Sequence, residues 1–321
     1  MAYAGPGIVF MGTPEFAVES LKAVIRAGYR VKGVVTSQDK PSGRGLQLRP
    51  SPVKVYALEN NIPVLQPLKL KDPGFLESLR NLHADLQVIV AFRMLPEEVW
   101  SMPPLGTFNL HASLLPQYRG AAPINWAVMN GETKTGVTTF FLNHEIDKGS
   151  VIFREETDIS PEETAGDVHD RLMIMGAHLV LKTIEGIISG KVAAIDQHLI
   201  ENMVPLHPAP KLFKSDCKID WNRDSLHLYN FIRGLSPHPS AWSELRTSEG
   251  EVLKVKIFFA RTVNSSPSDI PGTLITDNRN YLHVSTGNGM IAIEQIQLEG
   301  KKQMNISQFL HGFSAAGCIF Q

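Results

Sequence analysis

The chain has 321 residues, 31 Lys plus Arg against 32 Asp plus Glu for a formal net charge of −1, and is 43% hydrophobic and 20% charged. That balance excludes a disordered, collagenous or coiled-coil chain, and the length suggests about two domains. No apolar run approaches the roughly 18–20 residues of a membrane span. Cys217 and Cys318, the two cysteines, lie too far apart in sequence to suggest a disulfide framework or a metal site, so a cytoplasmic protein without a metal is expected.

Residues 8–11 form a short apolar run, predicting a strand that stops at Gly12. Thr13-Pro14-Glu15 then has the pattern of an N-cap, a first-turn proline and an early acid. Ala17, Leu21, Val24 and Ile25 share the buried face of the helix that follows, which ends near Gly28. Residues 31–36 predict a second strand, completing a βαβ unit. The alternation continues with strands at 62–65, 86–92, 106–110 and 137–141 and helices at 75–82 and 123–130, predicting a doubly wound α/β sheet. Ser160-Pro161-Glu162-Glu163 opens an amphipathic helix to about Ser189, with Val168, Leu172, Met175, Leu179 and Ile187 for its buried face. A first domain over 1–190 is expected, with a proline-marked linker over 191–218. In 219–321 a helix at 226–234 precedes apolar runs at 252–259, 272–275, 281–285 and 290–296, separated by Gly, Asn and Asp turns. A small β-barrel is the expected form.

The first strand-to-helix turn, Gly12-Thr13-Pro14-Glu15-Phe16, lacks the further glycines of a dinucleotide site. Phosphate-loop, zinc-protease and serine-hydrolase motifs are missing from the sequence as well. Phe108-Asn109-Leu110-His111 places Asn109 and His111 on one side of a strand, at the carboxyl end where open α/β sheets bind ligands. An amide beside an imidazole suits attack of an amine on a carbonyl, the amide holding the oxyanion and the ring taking a proton. Asp147, in the loop after the 137–141 strand, can orient the ring. By spacing alone, one Asn and one His after a strand are more often ordinary loop residues than catalysts.

Charge is uneven: Arg26, Arg30, Lys32, Lys40, Arg44, Arg49 and Lys54 face a single acid, Asp39, within residues 26–54. Such a patch suits a polyanion, or is a solvated loop.

The run from Asn109 to Asn125, NLHASLLPQYRGAAPIN, followed by Asp147-Lys148-Gly149, resembles the signature of the folate-dependent formyltransferases. Gly12-Thr13-Pro14-Glu15-Phe16, the stretch from Lys40 to Lys54, and Ile219-Asp220-Trp221 resemble the branch of that family acting on methionyl initiator tRNA. The resemblance spans essentially the whole chain. It implies a Rossmann-like formyltransferase domain and a C-terminal OB-like β-barrel, residues 219–321, that helps hold tRNA. It also implies formyl transfer from N10-formyltetrahydrofolate to the α-amino group of methionine on initiator tRNA, for translation initiation, by a monomer that needs no metal and no membrane. Asn109, His111 and Asp147 match the catalytic trio, and Ser113, Leu114, Leu115 and Pro116 the stretch that contacts folate. Phe92, Met94 and Leu95 offer an apolar wall, although an aromatic-Gly pair usual in the family is replaced by Phe92-Arg93, and Ala112 stands where glycine is common. Arg44 leads the residues expected to read tRNA, with Lys40, Arg49, Lys211 and Lys214 as phosphate contacts. A sugar-nucleotide formyltransferase and a noncatalytic RNA-binding protein share part of this pattern.

Overall fold

A computed structural model describes residues 5–42, 47–201, 205–264 and 270–321. Two compact units emerge: Met1–Gly120, Thr135–Thr157 and His169–Pro208 form one, and Ala121–Lys134, Asp158–Val168 and Ala209–Gln321 the other.

The first unit is built on β1 (Gly7–Gly12), β2 (Arg30–Val35), β3 (Lys40–Ser42), β4 (Gln47–Arg49), β5 (Val64–Leu65), β6 (Leu86–Val90), β7 (Thr107–His111), β8 (Lys134–Phe141) and β9 (Val151–Asp158). Its helices are α1 (Glu15–Arg26), α2 (Pro52–Glu59), α3 (Pro73–Arg80) and α4 (Glu97–Trp100). Seven strands form one sheet in the order β5-β2-β1-β6-β7-β8-β9, while β3 and β4 pair only with each other. The strands β5, β2, β1, β6 and β7 run parallel and β8 is antiparallel to β7. Strand order reverses direction at β1, between β2 and β6, so the carboxyl ends of β1 and β6 open a crevice. Both faces of β1 and β6 are covered, which is why β1 is a continuous apolar run and β6 is apolar except for the buried Gln87, whose Oε1 accepts from the Thr107 hydroxyl.

Along β7, Phe108 and Leu110 are buried, and Leu110 packs so closely on the longest helix that a side chain at Gly176 would collide with it. That helix continues the numbering after α5 (Pro123–Met129) as α6 (Ala165–Ile188). It starts later than the 160–163 motif predicts. Ser160 and Glu163 close a turn of their own, and the reciprocal cap belongs to Thr164 and Asp167: the Thr164 N–H donates to Asp167 Oδ2 at 2.8 Å and the Asp167 N–H to Thr164 Oγ1 at 3.2 Å. Similarly, Pro14 and not Thr13 precedes the first helical residue of α1, and no side chain caps it.

In the second unit, α8 (Ser225–Leu235) follows α7 (His198–Glu201) of the first. Its strands are β10 (Ala241–Arg246), β11 (Val252–Val263), β12 (Leu274–Thr276), β13 (Leu282–Ser285), β14 (Met290–Leu298), β15 (Met304–Asn305) and β16 (Ile319–Phe320), with α9 (Ile306–Gly312) before the last. The order β12-β13-β14-β11-β10-β16 is brought round on itself by a bridge between Thr273 and Ile319, giving a nearly closed antiparallel barrel. Leu245, Val255, Ile257, Val284 and Ile296 fill it, and Trp221 stacks on Phe320 with its indole N–H donating to Ser243 Oγ at 2.9 Å. Cys217 and Cys318 are buried free thiols.

Because Thr164→Ala removes the Oγ1 that accepts from the Asp167 N–H, one of the orphan donors at the start of α6, it is expected to cost about 1 kcal/mol of stability. Urea unfolding should show a lowered midpoint at an unchanged slope.

Candidate active site at the carboxyl edge of the sheet

Asn109 and His111 lie on β7 opposite Phe140 and Thr138 of β8, and Asn109 also pairs with Ile89 of β6. They share one face, as the alternation predicts. Asn109 is half-buried, and its side-chain amide has no hydrogen-bond partner among the described residues.

His111 is 6% exposed. Its Nε2 lies 2.9 Å from the Tyr118 carbonyl oxygen. A carbonyl can only accept, so Nε2 carries the hydrogen, and the lone pair of the neutral ring falls on Nδ1. Nδ1 faces the Asp147 carboxylate at 4.0 Å, so the structure brings these two predicted residues together.

The Asp147 turn is held from several sides. Its backbone is left-handed, with φ of 54°. The Gly120 N–H donates to its Oδ2 at 3.0 Å, while Arg119 Nε and Gln197 Nε2 donate to its carbonyl at 3.1 and 2.9 Å. Two residues on, Gly149 passes so near the Phe141 carbonyl that a Cβ would sit 1.6 Å from it, which excludes any larger residue. Arg119 in turn pairs with Glu201, holding that carboxyl below the usual carboxylate range. Gln197 and Glu201 come from the stretch expected to be a linker, as do Pro205 and His207, which exchange hydrogen bonds with Gln117 and Tyr118.

Ser113, Leu115 and Pro116 are buried, and Leu114 is partly so. The Ser113 hydroxyl donates to the Gln117 carbonyl at 2.6 Å, and Thr138 joins the Ser113 carbonyl to the Leu115 N–H, so this stretch is a packed turn. After β6, Leu95 enters the core under the sheet with Ile89 and Met11, Phe92 packs partly against it, and Met94 is 72% exposed. Arg93 is drawn off to the carbonyls of Pro67 and Leu68.

Arg44 lies outside the described residues. Lys40 and Arg49 are exposed and directly opposite each other across the β3–β4 hairpin. Lys54, part of the same basic run, is instead neutralised: its Nζ binds both Asp39 oxygens at 2.9 and 2.7 Å, and Lys54 and Gln66 together hold Asp39 below the usual carboxylate range.

In the barrel unit, Lys211 and Lys214 are exposed. Lys211 lies over the Phe213 ring, while Trp242, whose indole N–H donates to the Lys214 carbonyl at 2.7 Å, has Lys254 and Lys218 over its ring at 3.9 and 5.4 Å. The Lys214 ammonium beside it pulls Lys254 below its ordinary value. Trp242, Lys218 and Lys254 carry no signal in the sequence because they sit on strands and turns with no local motif.

Two family models match: formyl transferase over residues 7–184 and formyl transferase, C-terminal domain, over residues 211–314. A methionyl-tRNA formyltransferase of Bacteroides fragilis is 53% identical over 306 residues, covering 95% of this chain and 94% of its own. One of Parabacteroides distasonis is 54% identical over 308 residues, covering 95% of each. Among solved structures, HypX of Aquifex aeolicus in complex with tetrahydrofolic acid superposes with a TM-score of 0.63 at 17% identity, over 94% of this chain and 46% of that one. An N-formyltransferase of Helicobacter canadensis in complex with folinic acid and dTDP-3-aminofucose gives 0.63 at 20% identity, over 92% and 99%. By sequence along nearly its whole length, the chain belongs to the formyl transferase family.

Proposed function

We propose that the protein transfers the formyl group of N10-formyltetrahydrofolate to the α-amino group of methionyl initiator tRNA. The observation that carries the chemistry is the junction of an Asn109 amide with no partner among the described residues, a His111 ring with its lone pair on Nδ1, and a carboxylate 4.0 Å from that nitrogen. The donor, when bound, supplies a formyl carbon on a nitrogen leaving group. Phe92 and the exposed Met94 are the apolar side chains available to its pterin ring, and the packed turn from Ser113 to Pro116 offers it backbone groups.

Asn109 holds the formyl oxygen as the amine adds and negative charge develops there. His111 Nδ1 takes the proton that the attacking nitrogen sheds, and Asp147 balances the charge of the resulting imidazolium. The same proton then passes from His111 to the departing folate nitrogen as the carbon–nitrogen bond to it breaks. The amine gains the formyl group and loses one proton, the folate loses the one and gains the other, and the enzyme returns unchanged.

Lys40 and Arg49 support tRNA as the nucleophile's carrier. Like charges directly opposite on a hairpin destabilise it unless an anion lies between them, and a phosphate backbone supplies one. Lys254, over the Trp242 ring, and the exposed Lys214 next to that indole are proposed as further phosphate contacts. Arg44 is the proposed reader of the acceptor end, with Lys211 as a further phosphate contact.

Formyl-methionine should form on charged initiator tRNA and not on the elongator; its absence would defeat the assignment. Asn109→Ala should lower kcat by about 10²–10³ with tRNA affinity retained, and His111→Ala should lower it at least as far, again without loss of tRNA binding. Lys40→Ala with Arg49→Ala should weaken tRNA binding and flatten its dependence on log salt by about 1 for each phosphate no longer neutralised. Nitrogen-15 spectra of the His111 ring in its neutral form should show the proton on Nε2; a proton on Nδ1 would contradict the base assignment.

A further inference from the structure

We propose that Gln197 is a positioning residue for formyl transfer, fixing the Asp147 turn through its side-chain amide; this rests on the catalytic reading of Asp147 above. Asp147 takes a left-handed backbone, a region uncommon for residues with a side chain though less so for Asp, and the hydrogen bonds around it hold the turn in that form. Gln197 is 0% exposed, and its amide is fully engaged at that turn. Nε2 donates to the carbonyls of Asp147 and Gly149 at 2.9 and 2.8 Å. Oε1 accepts from Arg119 Nε and Nη2 at 3.1 and 2.5 Å. Two donors and an acceptor in one plane are what a carboxamide offers and a carboxylate does not.

The arrangement is also closed. Arg119 is held by Glu201 on one side and touches the Asp147 carbonyl itself on another, so Gln197 and Arg119 grip that carbonyl jointly. The carbonyl and the catalytic carboxylate belong to one residue. A tilt of the turn therefore changes the distance from the carboxylate to His111 Nδ1 while leaving the folate wall at Phe92 and Met94 and the tRNA hairpin untouched.

The test is a double-mutant cycle on the full-length enzyme. Gln197→Glu keeps the volume and the acceptor for Arg119 but cannot donate to either carbonyl; Gln197→Met, uncharged and of similar length, serves if the glutamate variant does not fold. Both are expected to lower kcat by about 10- to 100-fold with KM for tRNA and for the formyl donor unchanged. In an Asp147→Asn background, the same substitutions should cost nothing further, because their effect passes through the carboxylate already removed. A merely structural role would lower activity equally in both backgrounds. Full activity of the Gln197 variants, or losses that multiply with that of Asp147→Asn, would overturn this proposal alone. Full activity of Asp147→Asn would instead remove the catalytic reading and the proposal together.

Discussion

A backbone carbonyl accepts hydrogen bonds and never donates them, and in the proposed reading the placement of one such carbonyl decides the chemistry of this site. By receiving the His111 Nε2–H, Tyr118 leaves Nδ1 as the basic nitrogen and fixes the ring edge at which a proton can be taken. The loop from Ser113 to Gly120 is folded to deliver that carbonyl. Tyr118 takes a left-handed backbone with φ of 58° and is 5% exposed, its N–H bonded to the His207 carbonyl at 2.7 Å. Ser113, Leu115 and Pro116 work through shape: their side chains are spent in the packing and hydrogen bonds that hold the turn.

The separation between Asp147 and the ring matters in the same way. At 4.0 Å the carboxylate is beyond hydrogen-bond reach of Nδ1 but close enough to act on its charge. A bonded pair would occupy the lone pair that the proposed reaction uses. A more distant carboxylate would leave an imidazolium, buried under this loop, without compensation. The turn at Asp147 is accordingly over-determined, with bonds to both its carboxylate and its carbonyl, and burial of Gln197 excludes water that would otherwise compete for them.

Elements with strong periodicity were legible in the sequence. The alternation at Phe108-Asn109-Leu110-His111 is enough to place two candidate site residues on one face of β7, and the apolar runs at residues 8–11 and 88–90 mark the buried strands β1 and β6. The helix α2 and strand β9 carried weaker signals: α2 is short with little segregation of its faces, and β9 turns from buried to exposed along its length. Hydrogen bonds between residues distant in sequence were invisible. Nothing local in a proline-marked stretch distinguishes Gln197 from a solvated glutamine, because its role is set by carbonyls at Asp147 and Gly149 that only the fold brings near. The capping motif at 160–163 misled for a related reason, since Thr164 and Asp167 form an equally good box and the helix begins at the second.

Net charge hides the other half of the design. With a total of −1 the chain has no general attraction for a polyanion, so any attraction has to be local. Lys54 shows how a lysine is disposed of when it is not needed for an outside partner: Asp39 takes both its hydrogen bonds and its charge. Lys40 and Arg49, on the hairpin just beyond, are left opposite each other and exposed, and Lys214 and Lys254 crowd together beside Trp242. Each pair raises the free energy of the unbound protein slightly. In the proposed complex phosphates would lower it again, so the same repulsion that weakens the free surface would favour the bound one, with the salt dependence that follows from it.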